Sequence, residues 1–153
     1  MSETKLVPIL IIPDSHFPYV NKRAWALMLQ VAKQLKPEII VTLGDLADFF
    51  AVSSHSKNPK RALKLDQEVA SVNKALDQLD ALGAKEKIFI EGNHCDRLRR
   101  YLQDKAPELF NFVTVPELFR LKSRKWKFVP YKSHARIGKV FFTHDVGGAG
   151  RSS

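Results

Sequence analysis

Short apolar runs alternate along the chain with longer segments in which apolar residues recur every three or four positions. Short runs bounded by turn residues are typical of buried strands, whereas the longer spacing is typical of helices with one apolar face. The pattern predicts five strands, at Leu6–Ile12, Glu38–Leu43, Lys87–Glu91, Lys127–Pro130 and Lys139–Thr143. It predicts three helices, at Lys22–Leu35, Leu63–Leu82 and Asp96–Asp104. This alternation is typical of an α/β domain.

The longest predicted helix carries a continuous apolar stripe. Its members are Leu65, Val69, Val72, Leu76, Leu79 and Leu82. Residues three and four apart lie on the same side of a helix, so we expect this stripe to face the core. Trp25 and Leu29 have the same spacing in the first helix, and we expect them to pack there as well.

Composition narrows the class of protein. The chain has 153 residues, of which 44% are hydrophobic, enough for the core of a single domain spanning residues 1–153. Lys and Arg number 25 against 16 acids, a net charge of +9 that favours partners carrying phosphate, nucleic acid among them. Cys95 is the only cysteine, so no intrachain disulfide can form.

We expect a soluble cytoplasmic protein without a membrane partner. A single cysteine suits a reducing compartment. The longest apolar run near the N-terminus, Leu6–Ile12, contains Pro8 and is far too short to cross a bilayer. It also lacks the layout of a signal peptide.

Polar side chains follow four of the apolar runs, at the point where each run ends. They are Asp14, His16, Asp45, Asp48, Asn93, His94 and His144. The carboxyl ends of parallel strands lie along one edge of a sheet, where ligands bind in such folds. We therefore expect these residues, distant in sequence, to meet at one site.

The residue types of this set indicate a metal centre. Carboxylates, imidazoles and an amide oxygen suit Mn, Fe, Zn, Ni or Mg. One cation would not need so many ligands, whereas two cations about 3.5–4 Å apart need a bridging carboxylate and can bind the attacking and leaving oxygens of a phosphoryl displacement. Asp45 is the natural bridge.

Four ordered motifs carry a family resemblance. Asp14-x-His16, Gly44-Asp45-x-x-Asp48, Gly92-Asn93-His94 and the later His144 resemble the motifs of calcineurin-like metallophosphoesterases. The resemblance implies a metallophosphoesterase-like β-sandwich flanked by helices. It also implies a metal-dependent phosphoesterase with two divalent ions, of which Mn is the leading candidate.

The same resemblance implies a role for each motif residue. Asp14 and His16 would hold the first metal, Asp45 would bridge, and Asn93 and His144 would hold the second. His94 would protonate the leaving oxygen or steady the phosphate, and Asp48 would orient the His94 ring.

The sequence departs from the family pattern after two motifs. Cys95 follows Gly92-Asn93-His94 where the family usually has an acid, which leaves Asp96 as an expected helix cap. Phe49 stands where many members carry an arginine that grips phosphate. We assign that substrate-binding role to Arg97, with Arg99 and Arg100 as alternatives.

The Gly-His-x-His motif that closes the family's site is missing, and a glycine-rich tail follows His144. Three interpretations remain open: a domain lacking its C-terminal portion, which we favour, a shortened enzyme with fewer ligands, or a domain that has lost catalysis. With fewer protein ligands, we expect weaker metal occupancy.

Basic residues cluster at Lys57–Lys64, Arg97–Arg100 and Arg120–Lys127. Such runs are usually solvated surface, but Trp126 within the last run could stack on a nucleic-acid base. His55 and His134 lie outside the motifs, and we expect them at the surface.

The predicted function is hydrolysis of phosphomonoesters or phosphodiesters, with nucleic acid as one candidate substrate. The alternative is a non-catalytic basic nucleic-acid-binding domain, or an inactive fragment, that keeps the phosphoesterase fold.

Overall fold

A computed structural model describes residues 6–53 and 64–145. Four strands form one parallel sheet: β1 (Ile9–Ile12), β2 (Ile39–Leu43), β3 (Glu86–Ile90) and β4 (Lys127–Val129). Two more, β5 (Ala135–Ile137) and β6 (Val140–Phe142), pair as an antiparallel hairpin. The expectations for His55, for the basic residues at 57–63, for a helix start at Leu63 and for the tail at 146–153 lie outside the described residues.

Four α-helices accompany these strands: α1 (Lys22–Leu35), α2 (Leu65–Asp80), α3 (Cys95–Lys105) and α4 (Val115–Leu118). Short 3₁₀ helices occupy Phe50–Val52 and Pro107–Leu109. The bounds of α1 agree with the prediction, because the Asn21 side chain accepts hydrogen bonds from the first turn and Lys36 ends the helix in a left-handed conformation.

The strand predictions are right in position and wrong at some ends. Strand β1 begins at Ile9, not at Leu6, whose side chain is exposed. Strand β5 was not predicted, because three residues that include Arg136 are too few to show a period. Helix α4 was missed for the same reason, since it spans only four residues.

The two faces of the parallel sheet are covered differently. Ile40, Phe89 and Phe128 point to the face on which the helices pack. On the other face the core contains Ile39, Val41, Ile88, Ile90 and Val129, together with Ala135 and Phe142 of the hairpin. Because the strand order follows the chain order, right-handed crossovers place their helices on one face.

This arrangement confirms the predicted α/β class, with a parallel sheet against which helices pack. In the described part of the chain, the second layer of the predicted sandwich is the β5–β6 hairpin. Within the same part of the chain, no helix combines the length and apolar character needed to cross a bilayer.

The predicted apolar stripes are core. Val72, Leu76 and Leu79 of α2 are fully buried, and the other three members of its stripe are partly buried against the same cluster. Trp25 is buried and Leu29 packs beside it, as predicted.

A partly buried polar cluster joins α2 to β3 and to the start of β4. The Asp80 carboxylate accepts hydrogen bonds from Lys87 Nζ at 2.5 Å, Arg124 Nη1 at 2.6 Å and Trp126 Nε1 at 2.8 Å. Trp126 is only 5% exposed. The prediction that Trp126 could stack on a nucleic-acid base is therefore wrong, because its ring is part of the core and its N–H is already bonded.

We expect Asp80→Asn to lower the free energy of unfolding by about 2–4 kcal/mol, since it removes the counter-charge of Lys87 and leaves Arg124 with only the exposed Asp77. Burial raises the pKa of Asp80, but the three donors outweigh it and the pKa lies below its ordinary value of 3.8. The extra stability of the parent protein over Asp80→Asn should therefore be fully present above about pH 3.8 and should be lost as the pH falls through the lowered pKa of Asp80. Denaturant unfolding at several pH values measures it.

Asp77→Asn is the matched control, because Asp77 also pairs with Arg124 but its side chain is 63% exposed. We expect a loss below about 1 kcal/mol. Equal losses from both substitutions would contradict the role given to Asp80.

Candidate metal centre

The seven polar residues predicted to converge come from four chain segments. Asp14 and His16 follow β1, Asp45 and Asp48 follow β2, Asn93 and His94 follow β3, and His144 follows β6. The first three segments leave the carboxyl edge of the parallel sheet. His144 reaches the same edge from the hairpin, where its Nδ1 lies 2.9 Å from the backbone oxygen of Leu43.

Backbone hydrogen bonds hold the first two loops together. The His16 N–H donates to Asp45 O at 2.9 Å, and the Phe17 N–H donates to Leu46 O at 2.8 Å. The Asp48 N–H in turn donates to Phe17 O at 3.1 Å. These bonds extend the pairing of β1 and β2 beyond the strands and keep His16 beside Asp45.

Three of these residues have strained backbones. Asp14, His16 and Asp45 have φ angles of 32°, 49° and 47°. Positive φ in a residue with a Cβ costs about 1–3 kcal/mol, and such residues cluster at functional sites. The backbone conformation that directs these three side chains therefore lowers the stability of the fold.

Asp45 lies at the centre of the group and is 3% exposed. Its Oδ1 accepts the His94 N–H at 2.8 Å. Its Oδ2 lies 3.3 Å from His144 Nε2. Asp45 also forms a cluster with Asp14 and His16, in which the possible ligand atoms lie within 4.8 Å of one another. The Asp45 carboxylate thus faces both halves of the predicted centre.

His144 supplies a test of whether a cation fits. Leu43 O can only accept, so the proton of a neutral His144 ring is on Nδ1. The Nε2 lone pair then faces Asn93 Oδ1 at 2.9 Å and Asp45 Oδ2 at 3.3 Å. The repulsion between these lone pairs is relieved by a proton on Nε2 or by a metal ion. An imidazole nitrogen, a carboxylate oxygen and an amide oxygen within reach of one point are a donor set that fits a divalent cation.

A second cluster of possible ligands contains His16, Asp48 and His94. Asp48 Oδ1 lies 3.0 Å from His16 Nδ1 and 3.1 Å from His94 Nδ1, and the two rings meet edge to face. The contact between Asp48 and His94 has the geometry expected of an orienting carboxylate. The contact between Asp48 and His16 was not predicted.

Arg97 is the arginine of α3 that faces this cluster. Its Nη1 donates to Asp48 O at 3.2 Å, and its Nη2 lies 3.1 Å from His94 Nε2. A guanidinium can only donate, so His94 Nε2 accepts, and the ring proton is on Nδ1, beside Asp48.

The two alternatives to Arg97 are paired elsewhere. Arg99 Nε and Arg100 Nε lie 2.6 Å and 3.2 Å from the Asp96 carboxylate. Asp96 therefore forms ion pairs within α3, and the prediction that it caps this helix is wrong. Phe49, at the position where an arginine was considered, is buried and stacks on Phe119 with ring centroids 5.8 Å apart.

Two glycines permit the close packing of these loops. A Cβ at Gly92 would overlap with Asp45 Oδ1, and a Cβ at Gly44 would overlap with the His144 ring. Gly44 also has a φ of 95°. The glycines of both motifs are therefore required by contacts between loops that are far apart in sequence.

Glu68 of α2 is a buried residue near the site that sequence reasoning missed. Its Oε1 accepts the Ala51 N–H at 2.9 Å, which attaches the turn after Asp48 to α2. Burial, together with the nearby Asp48 charge, raises the pKa of Glu68 although the bond from Ala51 opposes the shift. Glu68 is three residues after Leu65 and four before Val72, so its position on the apolar stripe of α2 is the sequence signal that could have found it.

A pocket of about 440 Å³ opens beside Asn93 and Arg97. Its other lining residues are Val52, Ser53, Arg100, Tyr101, Asp104 and Lys105. The sequence indicated the arginines of this pocket but not Tyr101 or Lys105.

Carboxylates, imidazoles and an amide gathered at the carboxyl edge of a parallel sheet form a candidate metal centre in an α/β protein. The chain belongs to the calcineurin-like phosphoesterase family, whose sequence model matches residues 7–148. The resemblance carried by the four motifs is thereby confirmed. Members of this family act on phosphate esters and generally use divalent metals. No curated protein matches the chain significantly.

We expect Gly92→Ala to displace the Asp45 carboxylate and to weaken Mn²⁺ binding by roughly 10–100-fold. Overpacking should also cost about 1–3 kcal/mol of stability. Calorimetric titration with Mn²⁺ and thermal unfolding measure the two effects.

Gly83→Ala is the control, because Gly83 has a φ of 72° but open space around its missing Cβ. It should cost about 1–2 kcal/mol through backbone strain and leave Mn²⁺ binding unchanged. Parent-like Mn²⁺ affinity in Gly92→Ala would show that the close contact with Asp45 is not needed.

Proposed function

We propose that this protein hydrolyses phosphate esters at a centre of two divalent metal ions. The observation that carries the proposal is the convergence of lone pairs on Asp45, Asn93 and His144, which a bound cation would relieve. The donor cluster of Asp14, His16 and Asp45 shares the same carboxylate.

We assign the ligands accordingly. Asp14 and His16 would hold one ion, Asn93 and His144 the other, and Asp45 both. Mn²⁺ is our leading candidate, while Fe, Zn, Ni and Mg suit the same donors. When bound, such a pair neutralises phosphate charge and makes water a stronger nucleophile at neutral pH.

His94 is our candidate for the general acid. Its Nδ1 proton is held by Asp48, so the free tautomer has its lone pair at Nε2. Once protonated there, the ring can give the Nε2 proton to the leaving oxygen as the bond from phosphorus to that oxygen breaks. The Asp48 carboxylate stabilises the imidazolium and keeps the ring in position.

Arg97 would link substrate binding to this step. In the absence of substrate its guanidinium donates to His94 Nε2 at 3.1 Å and so occupies the lone pair of that nitrogen. A substrate phosphate offers the guanidinium two oxygens in a stronger, charge-assisted pairing. Movement of Arg97 onto the phosphate would then free His94 Nε2 to take up a proton.

The substrate class remains phosphomonoesters or phosphodiesters, with nucleic acid among the candidates. The excess of basic residues supports an anionic substrate.

His94→Ala tests the mechanism at constant Mn²⁺. We expect its rate on a phosphodiester with an alkyl leaving group to fall about 10²–10⁴-fold, because an alkoxide needs a proton to depart. The loss should be much smaller with p-nitrophenolate, which leaves without protonation. Initial rates on the two substrates make the comparison, and His134→Ala, at an exposed histidine, is the control.

Equal losses on both substrates would remove His94 from the role of general acid. EDTA should abolish hydrolysis by the parent protein, and Mn²⁺ should restore it. A protein that retains no metal and hydrolyses neither ester in excess Mn²⁺ would instead support the non-catalytic alternative.

A further inference from the structure

We propose that the pocket beside α3 binds the nucleotide next to the scissile phosphate of a single-stranded nucleic acid. This inference rests on the proposed function and gives it a substrate class. We call the surface formed by Arg97, Arg100, Tyr101 and Lys105 the basic face of α3.

The pocket continues directly from the candidate metal centre. Asn93 and Arg97 belong to both, so a phosphate at the metals would lie at one end of the pocket. Its volume of about 440 Å³ is within the range of pockets that hold small organic ligands. A substrate that reacts at the metals therefore has room for a neighbouring group along α3.

Most of the basic face is open to solvent, and its partly buried end is Arg97, whose side chain is 18% exposed and pairs with Asp48. Leu98 and Leu102 turn the opposite side of α3 into the core. The pocket lining contains three cations, Arg97, Arg100 and Lys105, against the single carboxylate of Asp104. Arg100 keeps 60% of its side chain exposed although it pairs with Asp96. An excess of positive charge at this end favours additional phosphate.

The spacing of the cations exceeds the size of one phosphate. Arg97 and Lys105 are eight positions apart, which corresponds to roughly 12 Å along a helix. A small phosphomonoester at the metals would leave Lys105 without a partner. An extended strand presents a second phosphate farther along its backbone and can reach both ends.

Tyr101 lies between the two cations and supplies an aromatic surface. It is 42% exposed, and within the two described segments no aromatic ring stacks on it. An open aromatic side chain among cations is the arrangement on which unpaired bases stack in single-strand binding proteins. A base held inside a duplex could not place its face on Tyr101.

The test separates binding from hydrolysis. Binding is measured in EDTA by the fluorescence anisotropy of a labelled ten-nucleotide oligothymidylate, and hydrolysis with Mn²⁺ and methyl p-nitrophenyl phosphate, a small diester whose methyl group cannot stack on Tyr101. We expect Tyr101→Ala and Lys105→Ala each to weaken oligothymidylate binding, Tyr101→Ala by about tenfold. Neither should change hydrolysis of the small diester, because neither residue belongs to the metal centre.

Two control variants sharpen the result. Tyr101→Phe keeps the aromatic face and should bind oligothymidylate as the parent does. Lys122→Ala removes the same charge from an exposed position in the basic run before β4 and should have little effect. Thermal unfolding should be the same for all four variants.

Three outcomes would overturn the inference. Equal losses from Lys105→Ala and Lys122→Ala would show that only net charge matters. Binding of a matched DNA duplex as tightly as oligothymidylate would show that an unpaired base is not recognised. A parent protein that hydrolyses the small diester but does not bind oligothymidylate would refute this inference and leave the proposed function intact.

A parent that binds oligothymidylate as expected but hydrolyses no ester would refute the proposed function alone.

Discussion

The candidate site depends on the close packing of three loops around one buried carboxylate. Asp45 can be almost fully buried at the sheet edge because Gly92 leaves room for its Oδ1. Gly44 leaves room in the same way for His144, which arrives from the hairpin. Without either gap the loops would have to separate, and donors from different parts of the chain would no longer face one another. Both glycines are needed because they have no side chain. A Cβ at Gly92 would occupy the space of the Asp45 carboxylate, and a Cβ at Gly44 would occupy the space of the His144 ring.

The parallel sheet brings the loops that carry these donors to one edge. Parallel pairing of β1, β2 and β3 brings three strand ends to one edge, and sequential strand order puts the helices on a single face. The other face is then free for the β5–β6 hairpin, whose Phe142 packs into the second core cluster just before His144. The core of that layer therefore determines where one of the candidate ligands lies.

Helix α3 connects the site to a wider surface. Its apolar side belongs to the core, and its first turn presents Arg97 to Asp48 and His94. The residues that follow on the exposed side line the adjacent pocket. One short helix thus holds Arg97 against the candidate site and places positive charge and the Tyr101 ring in the adjacent pocket. The position of α3 explains why positively charged residues follow Asn93 and His94 after the end of β3.

Much of the fold follows from local pattern. The alternation of apolar runs was sufficient to predict the α/β class, the bounds of α1 and the core stripe of α2, because burial imposes a regular spacing on long elements. The order of the motifs was sufficient for the family. Short elements such as β5 were missed, since three residues cannot display a period.

The sequence by itself determined which donors are present and that they follow strand ends. Tertiary structure decided what each of them touches. Trp126 was misread because its partner, Asp80 of α2, is far away in the sequence. Asp96 was misread because α3 begins at Cys95, so that Asp96 lies inside the first turn and pairs with Arg99 and Arg100. The contact of Asp48 with His16, and the pocket beside Tyr101, likewise arise only when separate segments pack. Periodicity reports burial, whereas a site consists of contacts between residues far apart in the chain, and only the folded chain brings those together.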